Sequence, residues 1–211
     1  MRFIIYLSHL NLSAICPRVT IFAPLTRLTW SSSAVAGATW CLCAGVLIPY
    51  WWKKSAKEIP ATFNARAETV ATKPMFREAF ERNRCLIPAS GYYEWLPTPT
   101  GKQPYYYTAR GDSPLTFVGL WDEWKDIETG EPLKSCTMII TNANALAAKV
   151  HDRMPVLLQP KDFDGWLKGT AGAELLKPAP DDYLQTWPVA RRVNSSRAPG
   201  DDPTLVERDA A

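Results

Sequence analysis

Three short stretches place polar groups suited to proton transfer or anion binding among apolar neighbours: FNARAET at 63–69, GYYEWL at 91–96 and VHDRMP at 150–155. His151 is one of only two histidines, and by itself it reads equally as a catalytic group, a metal ligand, or a helix-end residue favoured by the macrodipole. Glu94 lies among Tyr92, Tyr93 and Trp95. It is either a solvent-facing strand residue or a carboxylate framed by Tyr93 and Trp95, whose desolvation lifts its pKa into the general acid/base range. Asn64 is either a turn residue bonded to its own backbone or an amide that orients a substrate oxygen. If a strand runs through it, Arg66 shares its face and suits a phosphate or carboxylate, although a surface arginine is the plainer reading.

The tryptophans extend the same question. Trp51 and Trp52 are followed by Lys53 and Lys54, which makes a core anchor with a solvated flank or a stacking platform beside phosphate-binding lysines. The net charge is +3, and the last twelve residues hold four acids against one base, leaving about +6 on the rest. That bias permits a nucleic-acid partner without requiring one. Five cysteines without a CxxC pair fit reduced thiols in the cytoplasm. Two histidines and a lone Cys41-x-Cys43 do not match the paired spacings of a zinc site, and no metal or cofactor is expected. The apolar runs near the start are broken by Ser8, His9, Asn11 and Ser13, and later by Pro49, so no membrane role is expected.

The elements that must position these residues become orderly from about residue 45. Residues 72–84 predict an amphipathic helix, with Thr72 as cap and Met75, Phe76, Ala79 and Phe80 on one face. Strands are predicted at 85–89, 91–96, 103–109, 115–124, 136–142 and 154–160, and a last one at 183–193 is an edge or bulged strand because of Pro188. In that last strand Arg191 and Arg192 would point to opposite faces. Short helices are expected at 143–150, 160–169 and 171–177, with His151 closing the first. The result is a single α+β domain with a curved, largely antiparallel sheet or barrel-like core and several short helices.

Six blocks in order carry a family resemblance: LIPYWWKK at 47–54, NARAET at 64–69, RCLIPASGYYEW at 84–95, KQPYYY at 102–107, HDRMPVLL at 151–158, and VNSSR with a following TLVE at 193–207. Together they resemble the SRAP family, the SOS response-associated peptidases or abasic-site processing proteins. The resemblance implies an SRAP-like domain over 45–207, an atypical segment at 1–44 and a tail at 208–211. It implies a partner, single-stranded DNA containing abasic sites, that is captured as a covalent crosslink in the DNA damage response. By position, Asn64 resembles the residue that places the sugar, Glu94 the acid/base carboxylate and His151 the proton shuttle. Trp51, Trp52 and Trp95 resemble the aromatics that hold the strand, and Arg66 and Arg153 the phosphate contacts. A cytoplasmic monomer, nucleoid-associated when on DNA, is the expectation.

The start departs from the family. Its members open Met-Cys-Gly-Arg-Phe, with the cysteine as nucleophile, whereas this chain opens MRFIIY with Arg2 in that place. A wrongly assigned start or an upstream frameshift is expected, since the other cysteines carry no free α-amine. Three readings therefore stand: a crosslinking enzyme with peptidase and lyase activity, a catalytically inactive single-stranded DNA binder, and a cysteine peptidase.

Overall fold

The computed structural model describes residues 45–111, 113–195 and 202–209, together with the backbone of 5–6, 20–24 and 39–43. In chain order the elements are β1 (Ile5–Tyr6), β2 (Thr20–Pro24), β3 (Thr39–Cys43), β4 (Asn64–Arg66), α1 (Arg77–Arg82), β5 (Arg84–Ala89), β6 (Gly91–Thr98) and β7 (Gly101–Ala109). They continue with β8 (Leu115–Lys125), β9 (Pro132–Asn142), β10 (Arg153–Pro155), α2 (Pro160–Leu167) and β11 (Leu184–Pro188). The aromatic and β-branched runs became strands, and the short turns between them fold neighbours back antiparallel.

Two sheets result. One has the order β1-β6-β7-β11 and is antiparallel throughout. The other runs β10-β9-β8-β5-β2-β3, with β4 added in parallel on β9; β5, β8, β9 and β10 pair antiparallel, and β2 pairs parallel with both β3 and β5. The fold is thus α+β with largely antiparallel sheets, divided into two packed layers instead of one closed barrel. Among the described residues no helix is long and apolar enough to cross a membrane.

The larger sheet buries both faces. Toward α1 and α2 it packs Ala65, Leu86, Val118 and Ile139 against Phe80, Phe163 and Trp166. Toward the smaller sheet it packs Phe117, Met138 and Ile140 against Tyr92 and Tyr107. Each fully buried side chain of this size contributes about 1.5–3 kcal/mol. β8 pairs with β9 only as far as Gly119 opposite Met138. Beyond that point the chain after β10 is wedged between them, Val156 N–H donating to Ile139 (2.9 Å) while its carbonyl accepts from Val118 N–H (3.0 Å). This wedge carries the 150–153 loop to the inter-sheet space. At the start of β6, Gly91 packs where any Cβ would collide with the Tyr106 ring and the Tyr107 carbonyl, so the register of that strand requires glycine.

Several boundaries differ from expectation. The helix predicted at 72–84 is regular only over Arg77–Arg82, and 143–150 folds as a turn ending in a 3-10 turn at Ala147–Lys149. There the Asn144 side chain accepts the Ala147 N–H at 2.9 Å and gives its own amide to the Ala179 carbonyl at 3.0 Å, a tertiary tie that stands in for helix propagation. Residues 171–177 form a 3-10 turn at Ala173–Leu175. The last strand is indeed an edge, but it stops at Pro188, and Arg191 and Arg192 fall in a 3-10 turn at Arg191–Asn194. They are therefore not paired on opposite strand faces: Arg191 bonds Thr100 and Arg192 pairs with Asp202 at 3.2 Å.

Candidate functional site

Strand alternation sorts the candidate residues. On β6, Tyr92 and Leu96 pack into the core between the sheets, and Glu94 shares their face. On β4, Ala65 points to the helix side, while Asn64 and Arg66 pair with Met138 and Ile140, whose side chains face the smaller sheet. Asn64 and Glu94 therefore converge on the inter-sheet space from opposite layers. Both are incompletely bonded there: Asn64 Oδ1 and Glu94 Oε2 are buried without a hydrogen-bond partner among the described residues. Each such atom costs about 1–3 kcal/mol, a cost that a ligand able to bond them would remove.

Glu94 is only 4% exposed, and Oε1 accepts the Trp95 N–H at 3.2 Å. Burial pushes its pKa up to about 7; the Trp95 N–H and nearby positive charge including Lys102 offset this in part, and Asp152 adds to it. Val150 and Met154, which flank the loop that holds Asp152, pack in the same core as Tyr92.

In that loop His151 Nδ1 lies 2.8 Å from Asp152 Oδ1 and 3.0 Å from the Arg153 backbone nitrogen. One ring nitrogen cannot serve both. With a proton on Nδ1 the ring donates to Asp152, leaving the Nε2 lone pair to act as base; accepting from Arg153 N–H places the proton on Nε2, which then donates a hydrogen bond. The loop thus supports both tautomers that a shuttle needs. Asp152, passed over in the sequence, is the orienting partner; only its adjacency to His151 could have signalled it.

Arg153 is tied to Glu68 at 2.5 Å. Burial pushes the Glu68 carboxyl up, but its own backbone N–H, Arg153 and Arg66 together hold it below the usual carboxylate range. Arg66 is exposed beside them. Arg66, Glu68 and Arg153 therefore form one cluster with a net positive charge. Glu68 was missed because its role comes from β4 and β10 meeting across β9.

The aromatics divide. Trp51 and Trp52 are half-buried, with ring centroids 6.3 Å apart and planes inclined by 57°. Trp95 lies on the opposite face of β6 from Glu94, against Tyr93 (6.4 Å), with Nε1 donating to Asn194 Oδ1 at 2.6 Å. The expected framing of Glu94 by Tyr93 and Trp95 is not found, because consecutive strand residues face opposite ways. The carboxylate instead neighbours Tyr92 and Tyr107 and pairs across strands with Tyr105. Cys85 and Cys136 are free and buried, and burial raises the Cys85 thiol well above its ordinary range. Cys16 lies outside the described residues, and Cys41 and Cys43 are described in backbone only.

Residues 18–196 match the sequence profile of the family described as SOS response associated peptidase, SRAP. The chain belongs to the SRAP family. It is 38% identical over 167 residues to the abasic site processing protein YoqW of Bacillus subtilis, covering 76% of this chain and 73% of that one. It is 29% identical over 178 residues to the abasic site processing protein HMCES of Gallus gallus, covering 72% and 52%. A crystal structure of a protein from Bacteroides thetaiotaomicron superposes with a TM-score of 0.72 at 30% identity, covering 79% of this chain and 75% of that one. All of the site residues above lie within the SRAP match.

Proposed function

We propose that this SRAP domain binds single-stranded DNA at abasic sites and assists covalent capture of the ring-opened sugar. The reading rests above all on Glu94: a buried carboxyl pushed up to about 7, one of whose oxygens, like the Asn64 amide oxygen, has no hydrogen-bond partner among the described residues. The names of the relatives YoqW and HMCES point to the same substrate.

An aldehyde captured by an amine needs a proton removed from the attacking nitrogen and one delivered to the departing hydroxyl, so that water leaves as the C=N bond forms. Glu94, near its midpoint at neutral pH, takes the first proton and returns it. His151, alternating between its Asp152 and Arg153 contacts, carries a proton at the opening sugar oxygen. Asn64 Oδ1 accepts a sugar hydroxyl. Arg66 and Arg153 hold flanking phosphates, with Arg153 exchanging Glu68 for the phosphate. Trp51 and Trp52 stack against bases; Trp95 supports the sheet from its far face.

A second reading, binding without capture, is favoured by the burial of Cys85 and Cys136, the two fully described cysteines. One assay separates the two. The protein is incubated with single-stranded DNA carrying one abasic site and run on a denaturing gel, where a heat-resistant shifted band is the expected outcome. Retained binding without that band selects the second reading. Restoring a Met-Cys-Gly-Arg-Phe start should then produce the band; if it does not, the roles given to Glu94 and His151 are wrong. For a cysteine peptidase the site lacks a described thiol beside His151, whose described partners are Asp152 and the Arg153 backbone.

A further inference from the structure

The segment Leu47–Trp52 is irregular, yet buried side chains on the β8–β9 hairpin and Thr62 bond much of its backbone. Ser135 Oγ accepts the Ile48 N–H at 2.8 Å and lies 3.3 Å from the Ile48 carbonyl. Asp122 Oδ2 accepts the Tyr50 N–H at 3.0 Å, Trp124 Nε1 donates to the Trp52 carbonyl at 2.7 Å, and Thr62 Oγ1 donates to Leu47 at 2.7 Å. Ser135, Trp124, Thr62 and Asp122 are 0%, 1%, 3% and 6% exposed. Asp122 and Ser135 are a cross-strand pair.

A solvated loop would have its backbone bonded by water at no cost in buried charge. Here a carboxylate is buried with no cation paired to it among the described residues, its other oxygen accepting the Glu123 N–H at 2.8 Å. Such desolvation is costly, and what it secures is a fixed backbone at Tyr50. The product is a run of three aromatics: Tyr50, 53% exposed, followed by the half-buried Trp51 and Trp52.

We propose that Asp122, with Ser135 and Trp124, is a positioning clamp that presents Tyr50, Trp51 and Trp52 as a preformed stacking surface for single-stranded DNA, Tyr50 being a contact in its own right. This rests on the DNA-binding reading above. Ordering the segment before binding spares that cost when the strand docks.

Two measurements on the full chain test it. Anisotropy of a labelled oligothymidylate reads affinity. The Trp51–Trp52 exciton couplet in circular dichroism, taken as the difference from a Trp51→Ala/Trp52→Ala variant, reads ring geometry without DNA. Asp122→Ala should weaken binding about tenfold and shrink the couplet, and Tyr50→Ala should weaken binding about fivefold or more. In the Trp51→Ala/Trp52→Ala background Asp122→Ala should cost less than in the parent, the remaining loss coming through Tyr50. Ser135→Ala gives the same comparison if Asp122→Ala does not fold. An undiminished couplet, or an equal further loss in the tryptophan-free background, overturns the clamp. Parental affinity in the Trp51→Ala/Trp52→Ala variant overturns the stacking role instead, and the couplet then still decides whether the clamp sets the geometry.

Discussion

The two faces of β6 carry nearly the same kinds of residue and do opposite work. On the outer face Tyr93 and Trp95 join Tyr106 and Trp187 in a ladder sealed by the C-terminal segment: Tyr93 Oη donates to Leu205 (3.3 Å) and Trp187 Nε1 to Val206 (2.8 Å). On the inner face Glu94, between Tyr92 and Leu96, keeps an oxygen with no partner among the described residues. Buried polar groups are normally satisfied, so the contrast separates a face whose polar groups are met from one that, under the proposed function, meets a ligand. Aromatic content alone does not mark the binding face; unsatisfied polarity does.

The largest expected effect breaks the inner face. Glu94→Gln should lower the rate of covalent capture by about 10²–10⁴-fold, read by quenched denaturing gels, with single-stranded binding kept. A loss of binding in step with rate would instead make Glu94 a contact. His151→Ala should slow capture by about 10²-fold and flatten its pH dependence.

Stability carries the opposite sign. Glu94 titrates near 7 in the folded chain against an ordinary 4.5, so the fold binds its proton more tightly than the unfolded chain does. The stability this gives is complete below 4.5 and is lost as pH rises through 7. Glu94→Gln should therefore be more stable than the parent at pH 8 by about 2–3 kcal/mol, an advantage that vanishes in acid. Urea unfolding at both pH values checks it, and a constant difference would contradict the desolvation account.

The outer face should respond the other way. Trp95→Ala is expected to cost about 2–3 kcal/mol in stability and to leave DNA affinity within about twofold; a larger affinity loss would return Trp95 to the binding surface. The smallest effect belongs to the rim. Arg153→Ala should weaken binding to all sequences alike and reduce the slope of affinity against salt by about one.

Much of this was legible in advance because strand propensity and alternation are local. GYYEWL, LTFVGLWDEW and CTMIITN fold as strands, and Asn64 and Arg66 share a face. Less legible were elements whose state depends on distant partners: the 143–150 helix gave way to a turn held by Asn144 and the 179–180 carbonyls. The wedge of 153–158 between β8 and β9 also left no local trace.

The sequence by itself determined the α+β class, most strand positions, the family, and the residue types able to move protons or hold phosphate, since each follows from composition and short-range spacing. Which side of a strand is buried against what depends on register between strands far apart in the chain. Only the tertiary structure could therefore decide that Glu94 shares the inner face of β6 with Tyr92 while Trp95 faces away, that Asp152 meets His151, and that Asp122 and Ser135 bond the backbone of Tyr50 and Ile48.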